Sequence, residues 1–222
     1  WRTGIEQATF LSGYAVTIIA TVSLILLHRA GQEQQLRLLA GTDALTGLLN
    51  RRSFLASAAQ ALEANVPVAA LMLDLDHFKA INDRYGHPVG DAVLREVAAT
   101  LVAGLRRDDL LARFGGEEFA VLLPHTGAQT ALAVAERLRS AVATQRSNPG
   151  ELRYTVSIGI ATATGDAPLD VLITEADRAL YAAKRDGRNR CVLMAVPELI
   201  DGTADAHQST GGNTSAQAGR LP

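Results

Sequence analysis

At 222 residues the chain is long enough for one ordinary domain with a core of its own, plus extra segments. A formal charge of −2 gives no global case for nucleic-acid binding, so neither DNA nor RNA is expected as a partner. Aromatic residues are only 5% of the chain, against 48% hydrophobic residues overall, which suits an α/β domain better than a base-stacking surface; the single Cys191 excludes an internal disulfide and any multi-cysteine metal cluster.

The chain begins with Trp1 rather than Met and is read as a piece of a longer protein. Residues 8–27, ATFLSGYAVTIIATVSLILL, run for twenty positions without a charge. At about 1.5 Å per residue such a helix spans ~30 Å, the thickness of a bilayer core. A signal peptide would have a shorter apolar region and a small-residue cleavage site, and none follows Leu27. A buried core helix would carry a polar stripe, whereas Ser and Thr alone interrupt this run. Residues 1–27 are therefore read as a segment holding one transmembrane helix. The basic residues Arg29, Arg37, Arg51 and Arg52 after it place the remainder in the cytoplasm, at the inner membrane.

Residues 28–42 form a polar, helix-prone connector in which Leu36 and Leu39 are too few to make a coiled-coil seam. The globular part is read as 43–196. Its pattern predicts a helix over 51–64, a buried strand over 66–76, and a helix over 89–105 with Val93, Leu94, Val97, Leu101 and Val102 on its apolar face. A short strand near 110–114, a Gly115-Gly116 hairpin turn and a strand over 117–123 follow. A helix is predicted over 128–142, an alternating strand over 153–163, a helix over 169–187 ended by Gly187, and a last strand over 191–196. Residues 197–222 have almost no large apolar side chains and are read as a disordered tail.

The chemistry gathers at strand ends. Asp74 and Asp76 lie two residues apart, so they share one face of their strand, at its carboxyl end, where ligands bind in α/β sheets. Glycine accepts the positive φ of a tight hairpin, so Gly115-Gly116 would lift Glu117 to a hairpin tip. If the two strands pair, Asp74 and Glu117 converge. Oxygen ligands without a Cys or His cluster point to Mg²⁺ or Mn²⁺ held jointly with phosphate oxygens, and the glycines leave room for a phosphate chain.

Five motifs then fall in one order: TDALTGLLNRR at 42–52, DLDHFKAINDRYGHPVGDAVL at 74–94, RFGGEEF at 113–119, VSIGIA at 156–161 and ADRALYAAKRDGRNR at 176–190. With GGEEF at 115–119 as the signature, the chain resembles the GGDEF domain, the diguanylate cyclase family. The resemblance implies an α/β (α+β) palm-like nucleotide-cyclase fold, with a central, mostly antiparallel sheet flanked by helices. It also implies condensation of two GTP into cyclic di-GMP with release of two pyrophosphates. Each domain would hold one half-site, so the enzyme would work as a homodimer whose geometry the membrane helix and connector set.

Residue by residue, Asp74 resembles the family's metal-binding aspartate, with the Leu75 carbonyl as a further ligand. Glu117 resembles the residue that binds metal and helps deprotonate the attacking 3′-hydroxyl; Glu118 supports the metal site, and Asp76 reads as structural. Asn82 and Asp91 resemble the guanine readers, since a carboxylate accepts from both N1–H and the exocyclic amine of guanine. His87 resembles a further nucleotide contact, with a local turn role as the alternative. Lys184 and Arg188, at i and i+4, would share one helical face and neutralise the β- and γ-phosphates; a solvated basic face is the plainer reading. RRDD at 106–109 resembles the family's product-inhibition site, in which Arg106, Asp109 and Arg137 would hold cyclic di-GMP. The alternative is that arginines at a helix C-terminus complement its dipole. The rival functions are a catalytically silent receptor of GTP or cyclic di-GMP, a hybrid cyclic GMP-AMP synthase and a membrane scaffold. Asp74, Glu117 and Glu118 argue against the first and Asp91 against the second, while a scaffold leaves the polar residues unexplained.

Overall fold

The computed structural model describes residues 21–24, 41–62, 66–146, 152–163 and 167–196. All eight residues of the strand Val68–Leu75 (β2) are buried, on both faces, so this strand has to lie in the middle of a sheet with a layer on each side. The remaining strands are Leu49–Asn50 (β1), Leu110–Gly115 (β3), Glu118–Leu123 (β4), Val156–Ala163 (β5) and Cys191–Ala195 (β6). They form one six-stranded sheet in the order β1-β3-β4-β2-β5-β6. The inner pairings β3·β4, β4·β2 and β2·β5 are antiparallel, while β1 and β6 add parallel edges. This is the mixed α/β sheet flanked by helices that the motif pattern implied.

Side-chain alternation sorts the core into two layers. Leu71, Leu73, Phe119, Val121, Ile158 and Ile160 face one way. They pack on the helices Phe78–Tyr85 (α2), His87–Ala103 (α3) and Ala128–Ala143 (α4), through residues such as Phe78, Val97 and Leu138. Ala70, Met72, Ala120, Leu122 and Ala161 face the other way, against Phe54 of Arg51–Ala61 (α1) and Leu172, Ala176 and Leu180 of Leu169–Arg185 (α5). The Asn50 side chain starts α1 by accepting from the Ser53 N–H at 2.9 Å.

Helix α5 lies unusually close to the sheet. A Cβ on Gly159 would collide with the backbone of Leu180 and Ala176 and lie 2.7 Å from the Ala179 carbonyl carbon. The helix therefore rests on the bare backbone of β5, and no side chain is available to give way.

The sequence missed α2, because no element was expected over 77–88, and the two-residue β1. The expected helix starts and ends otherwise hold to within a few residues. The expected membrane helix, most of the connector and the tail lie outside the described residues; of the uncharged run only 21–24 is described, as helix. The inner-membrane location is corrected on this point: among the described residues no helix is long and apolar enough to cross a membrane. The expectation had rested on the uncharged run and on the basic residues that follow it.

Because the contact at Gly159 is backbone against backbone, Gly159→Ala is expected to destabilise the domain by about 1–3 kcal/mol, as overpacking does. Urea unfolding should show a lower midpoint at an unchanged slope. An unchanged midpoint would mean that the helix can lift off at no cost.

Candidate active site

The site forms where β2 ends beside the β3–β4 hairpin and beneath the last turn of α5. Asp74 pairs in register with Glu118 on one side and Ser157 on the other, so the three side chains share the face that α5 covers. The close seating of α5 lets Lys184, on its last turn, reach down to Asp74 with Nζ–Oδ2 at 2.8 Å. Burial pushes the Asp74 carboxyl above its ordinary range; the Lys184 ammonium opposes this, the Asp76 charge adds to it, and the Arg188 charge works against it. Glu117 is also raised, first by burial and then by the Asp74 charge, with Lys184 opposing and Glu118 adding. Two crowded carboxylates thus share one lysine.

Leu75 completes the donor set. Its N–H donates to the Glu117 carbonyl at 3.3 Å, and the N–H and C=O of one strand residue leave on the same side, so the Leu75 carbonyl also faces the hairpin. Among the described residues no three His, Cys, Asp or Glu side chains gather into a ready-made metal cage. Two carboxylates and a backbone carbonyl, with repulsion left over between the carboxylates, are instead the donors that suit Mg²⁺ when substrate phosphates supply the rest. The residues fit such an ion.

The hairpin differs from the sequence reading by one residue. Gly115 pairs with Glu118 across the ladder, so the loop is Gly116–Glu117 rather than Gly115-Gly116. A bulge between Arg113 and Gly115 takes up the difference, and of the two glycines only Gly116 has a positive φ, at 46°. Glu117 is consequently part of the turn itself. Its conformation is held from outside by Arg113, whose Nε and Nη2 both donate to the Gly116 carbonyl, at 3.0 and 2.6 Å. Arg113 in turn is paired with Asp43 at 3.1 Å. Asp43 also accepts from the N–H and hydroxyl of Thr46, at 2.9 and 2.7 Å. Burial raises the Asp43 carboxyl, but these bonds outweigh it and hold the group below its ordinary range. Asp43 and Arg113 were quoted within motifs and given no role. Their opposite charges, 70 positions apart, carried no local signal of contact.

Arg188 also departs from expectation. Helix α5 ends at Arg185, and Gly187 turns the chain with φ 114°, so Arg188 and Lys184 do not share a helical face. The Arg188 N–H closes a Schellman bond to the Ala183 carbonyl at 3.0 Å. Arg188 and Asn189 then both adopt left-handed conformations, φ 62° and 45°, at about 1–2 kcal/mol each for residues with a side chain. Arg188 still belongs to the site, since its charge acts on Asp74.

The residues expected to read a base lie on the two helices after β2. Asn82 Oδ1 on α2 is buried with no hydrogen-bond partner. Gly90 on α3 makes room for it, because a Cβ there would overlap the Asn82 amide. His87, exposed at the start of α3, and the half-buried Asp91 are four residues apart and so lie on one side of that helix. A buried carbonyl left without a donor is costly, and a ligand N–H would satisfy it.

A separate cleft of about 820 Å³ opens between α3 and α4 and is lined by both Arg106 and Arg137, as well as Glu96. Arg137 Nη2 donates to the Gly104 carbonyl at 2.8 Å. Asp109 does not line the cleft; its carboxylate accepts from the Arg106 N–H at 2.8 Å and closes the turn. The structure brings the two arginines together and gives the aspartate a local part.

Known proteins resemble this chain in sequence and in fold. The family model described as "Diguanylate cyclase, GGDEF domain" matches residues 40–190. Diguanylate cyclase DgcM of Escherichia coli K12 is 48% identical over 167 residues, which are 73% of this chain and 40% of DgcM. The response regulator PleD of Caulobacter vibrioides is 43% identical over 167 residues, 71% of this chain and 37% of PleD. The chain thus spans about 40% of the length of such relatives. The GGDEF domain of DgcB from Caulobacter crescentus, solved in complex with c-di-GMP, superimposes with a TM-score of 0.66 at 36% identity, covering 69% of this chain and 95% of that one. The diguanylate cyclase SiaD of Pseudomonas aeruginosa, solved with its activator SiaC, gives a TM-score of 0.65 at 34% identity, covering 86% and 79%.

Removing the Arg113 fork should loosen the turn without loosening the sheet. In Arg113→Ala, amide exchange at Gly116, Glu117 and Glu118 is expected to speed about ten- to a hundredfold, the equivalent of one lost charged hydrogen bond, with the amides of β2 unchanged. Equal protection in the variant would show that the ladder alone holds the hairpin.

Proposed function

This chain belongs to the GGDEF, diguanylate cyclase, family, and on that premise we propose that it joins two GTP molecules into cyclic di-GMP with release of two pyrophosphates. The observation that carries the reading is the meeting of Asp74, Glu117 and Lys184 at one strand end: paired carboxylates and a cation, set on three different elements.

In each half-reaction the 3′-oxygen of one GTP forms a bond to the α-phosphorus of the other. The bond from that phosphorus to the bridging oxygen breaks, and pyrophosphate leaves with the electron pair. Glu117 takes the 3′-hydroxyl proton. Lys184 and Arg188 neutralise the β- and γ-phosphates and so steady the charge that builds on the leaving group. Asp74, Glu117 and the Leu75 carbonyl would hold Mg²⁺ or Mn²⁺, with Glu118 in support; when bound, the ion would supply Lewis-acid stabilisation of the phosphate oxygens. Gly115 and Gly116 leave the backbone bare beneath the phosphate chain. Asn82 and Asp91 bind the guanine edge, with His87 beside them. A site whose buried carbonyl waits for a donor discriminates against bases that offer none.

One chain supplies one half-site, so two copies face each other in a homodimer. Arg106 and Arg137 in the α3–α4 cleft hold the cyclic product and slow the enzyme by keeping the domains apart. Asp109 serves this indirectly, by fixing the Arg106 turn. A silent receptor is the weaker reading, because the two carboxylates and Lys184 are all present and grouped.

With Mg²⁺, the protein is expected to convert GTP, and not ATP alone, to cyclic di-GMP. Glu117→Ala and Asp74→Ala should each lower kcat by at least about a hundredfold while the far-ultraviolet circular dichroism stays unchanged. Chromatographic product analysis checks this; a folded Glu117→Ala protein with full activity would overturn the assignment.

The initial rate of wild-type protein should rise faster than linearly with protein concentration, and added cyclic di-GMP should depress it. Arg106→Ala is expected to relieve that inhibition with an initial rate within about twofold of wild type, because no catalytic contact is touched. Equal inhibition of both proteins would return Arg106 to a role at the helix end.

A further inference from the structure

Asp76 has no part in the reaction as written, yet it is 4% exposed and lies one residue past the end of β2. Its carboxylate accepts three hydrogen bonds: from the Thr155 hydroxyl at 2.6 Å, the Ser157 hydroxyl at 2.7 Å and the Asn189 N–H at 3.0 Å. The first two tie it to β5 and the residues just before it. The third reaches 113 positions along the chain to the loop that follows α5. Asn189 is gripped a second time from the opposite helical layer, where Arg139 Nη1 of α4 donates to its Oδ1 at 2.7 Å, and Arg139 is itself held by Glu136 at 2.8 Å.

The grip falls on a segment that needs it. Gly187, Arg188 and Asn189 are three successive residues at positive φ, a region that the Arg188 side chain disfavours and that Asn189 tolerates better. Such a conformation persists only where its surroundings over-determine it. Before the segment, Arg188 N–H is bonded to Ala183; after it, the Arg190 carbonyl accepts from the Ile158 N–H at 2.9 Å and joins the sheet. Between these anchors, the Asn189 amide is fixed by Asp76, and Arg188 is the residue immediately before it.

We propose that Asp76 is a positioning residue for the phosphate-binding cation Arg188. Together with Arg139, it holds Asn189 so that the left-handed 187–189 segment aims the Arg188 guanidinium at the phosphate chain. This rests on the reading of the site as a nucleoside triphosphate site. An asparagine at position 76 would preserve the effect: its oxygen, in the place of Oδ2, accepts from both the Asn189 N–H and the Thr155 hydroxyl, and its amide, in the place of Oδ1, donates to the Ser157 hydroxyl, which rotates to accept. A metal ligand would not tolerate the same change.

Two measurements test this on the full chain. The first is amide exchange without nucleotide. Asp76→Ala and Arg139→Ala should speed exchange at Arg188 and Asn189 about tenfold or more while Ile158 and Ile160 stay protected, and Asp76→Asn should restore wild-type protection. Arg139 is half-buried and outside the apolar core, so its variant remains informative if Asp76→Ala fails to fold. The second is GTP affinity by calorimetry in Ca²⁺, to suppress turnover. Asp76→Ala should weaken binding about tenfold in the wild-type background and not at all in Arg188→Ala, because the effect passes through Arg188. Unchanged exchange at Asn189, or the same loss of affinity in both backgrounds, overturns the proposal. If the wild-type protein binds no GTP, the functional reading fails on that arm, while the exchange arm still decides whether Asp76 orders the Arg188 loop.

Discussion

A helix cannot rest on a strand's backbone where a side chain stands between them. Gly159 removes that side chain at the point where α5 crosses β5, and the placement of the site follows. With α5 seated this low, the Lys184 stem is long enough to bring its ammonium to Asp74. With Lys184 there, a carboxylate that is 5% exposed has a counter-charge. Such a pair adds little to stability, since desolvating two charges offsets most of their attraction. Its effect is to keep two opposite charges together at the edge of the core, where a phosphate and a cation can each take one of them over.

The acids and the bases are carried differently. Asp74, Leu75 and Glu118 sit on strands bound into the middle of the sheet, and Glu117 sits in a turn that Arg113 clamps through the Gly116 carbonyl. The cations come from the end of a helix and from the strained loop beyond it. The oxygen donors are therefore fixed to within the tolerance of a β-ladder. Of the basic side chains, Lys184 is placed by the seating of α5 on β5, while Arg188 hangs from a loop whose geometry depends on a few side-chain bonds.

Much of this was legible in the residues. The apolar run of β2 predicted a buried strand, and the 3.6-residue spacing of Val93, Leu94, Val97 and Leu101 marked α3, although Val102, placed on the same face, is exposed. The pairing of β2 with β4 that brings Asp74 and Glu117 together was conditional in the sequence and is realised in the sheet. What was misread shares one cause, which is that spacing rules stop at backbone irregularities. The i, i+4 rule was carried past Gly187, although a left-handed glycine ends the helix to which the rule applies. The hairpin was placed one residue early because the bulge at Arg113/Gly115 leaves no trace in composition. Helix α2 was missed because it is only eight residues long and begins behind a left-handed His77; its sole mark was the interval between Phe78 and Ile81. The uncharged run at 8–27 had no partner motif to check it, and all of it but 21–24 lies outside the described residues.

Strand β3 has a further consequence. It begins at Leu110, just after the turn that Asp109 closes, and ends at Gly115, just before the loop that holds Glu117. Six residues of strand measure about 20 Å. The strand sets the spacing between the arginine-lined cleft and the carboxylates, and its ladder with β4 holds it up to the bulge at Arg113/Gly115. A small molecule seated at one end cannot also touch the other end of the same chain. A contact made in the cleft is therefore separated from the carboxylates of its own chain by the full length of the strand.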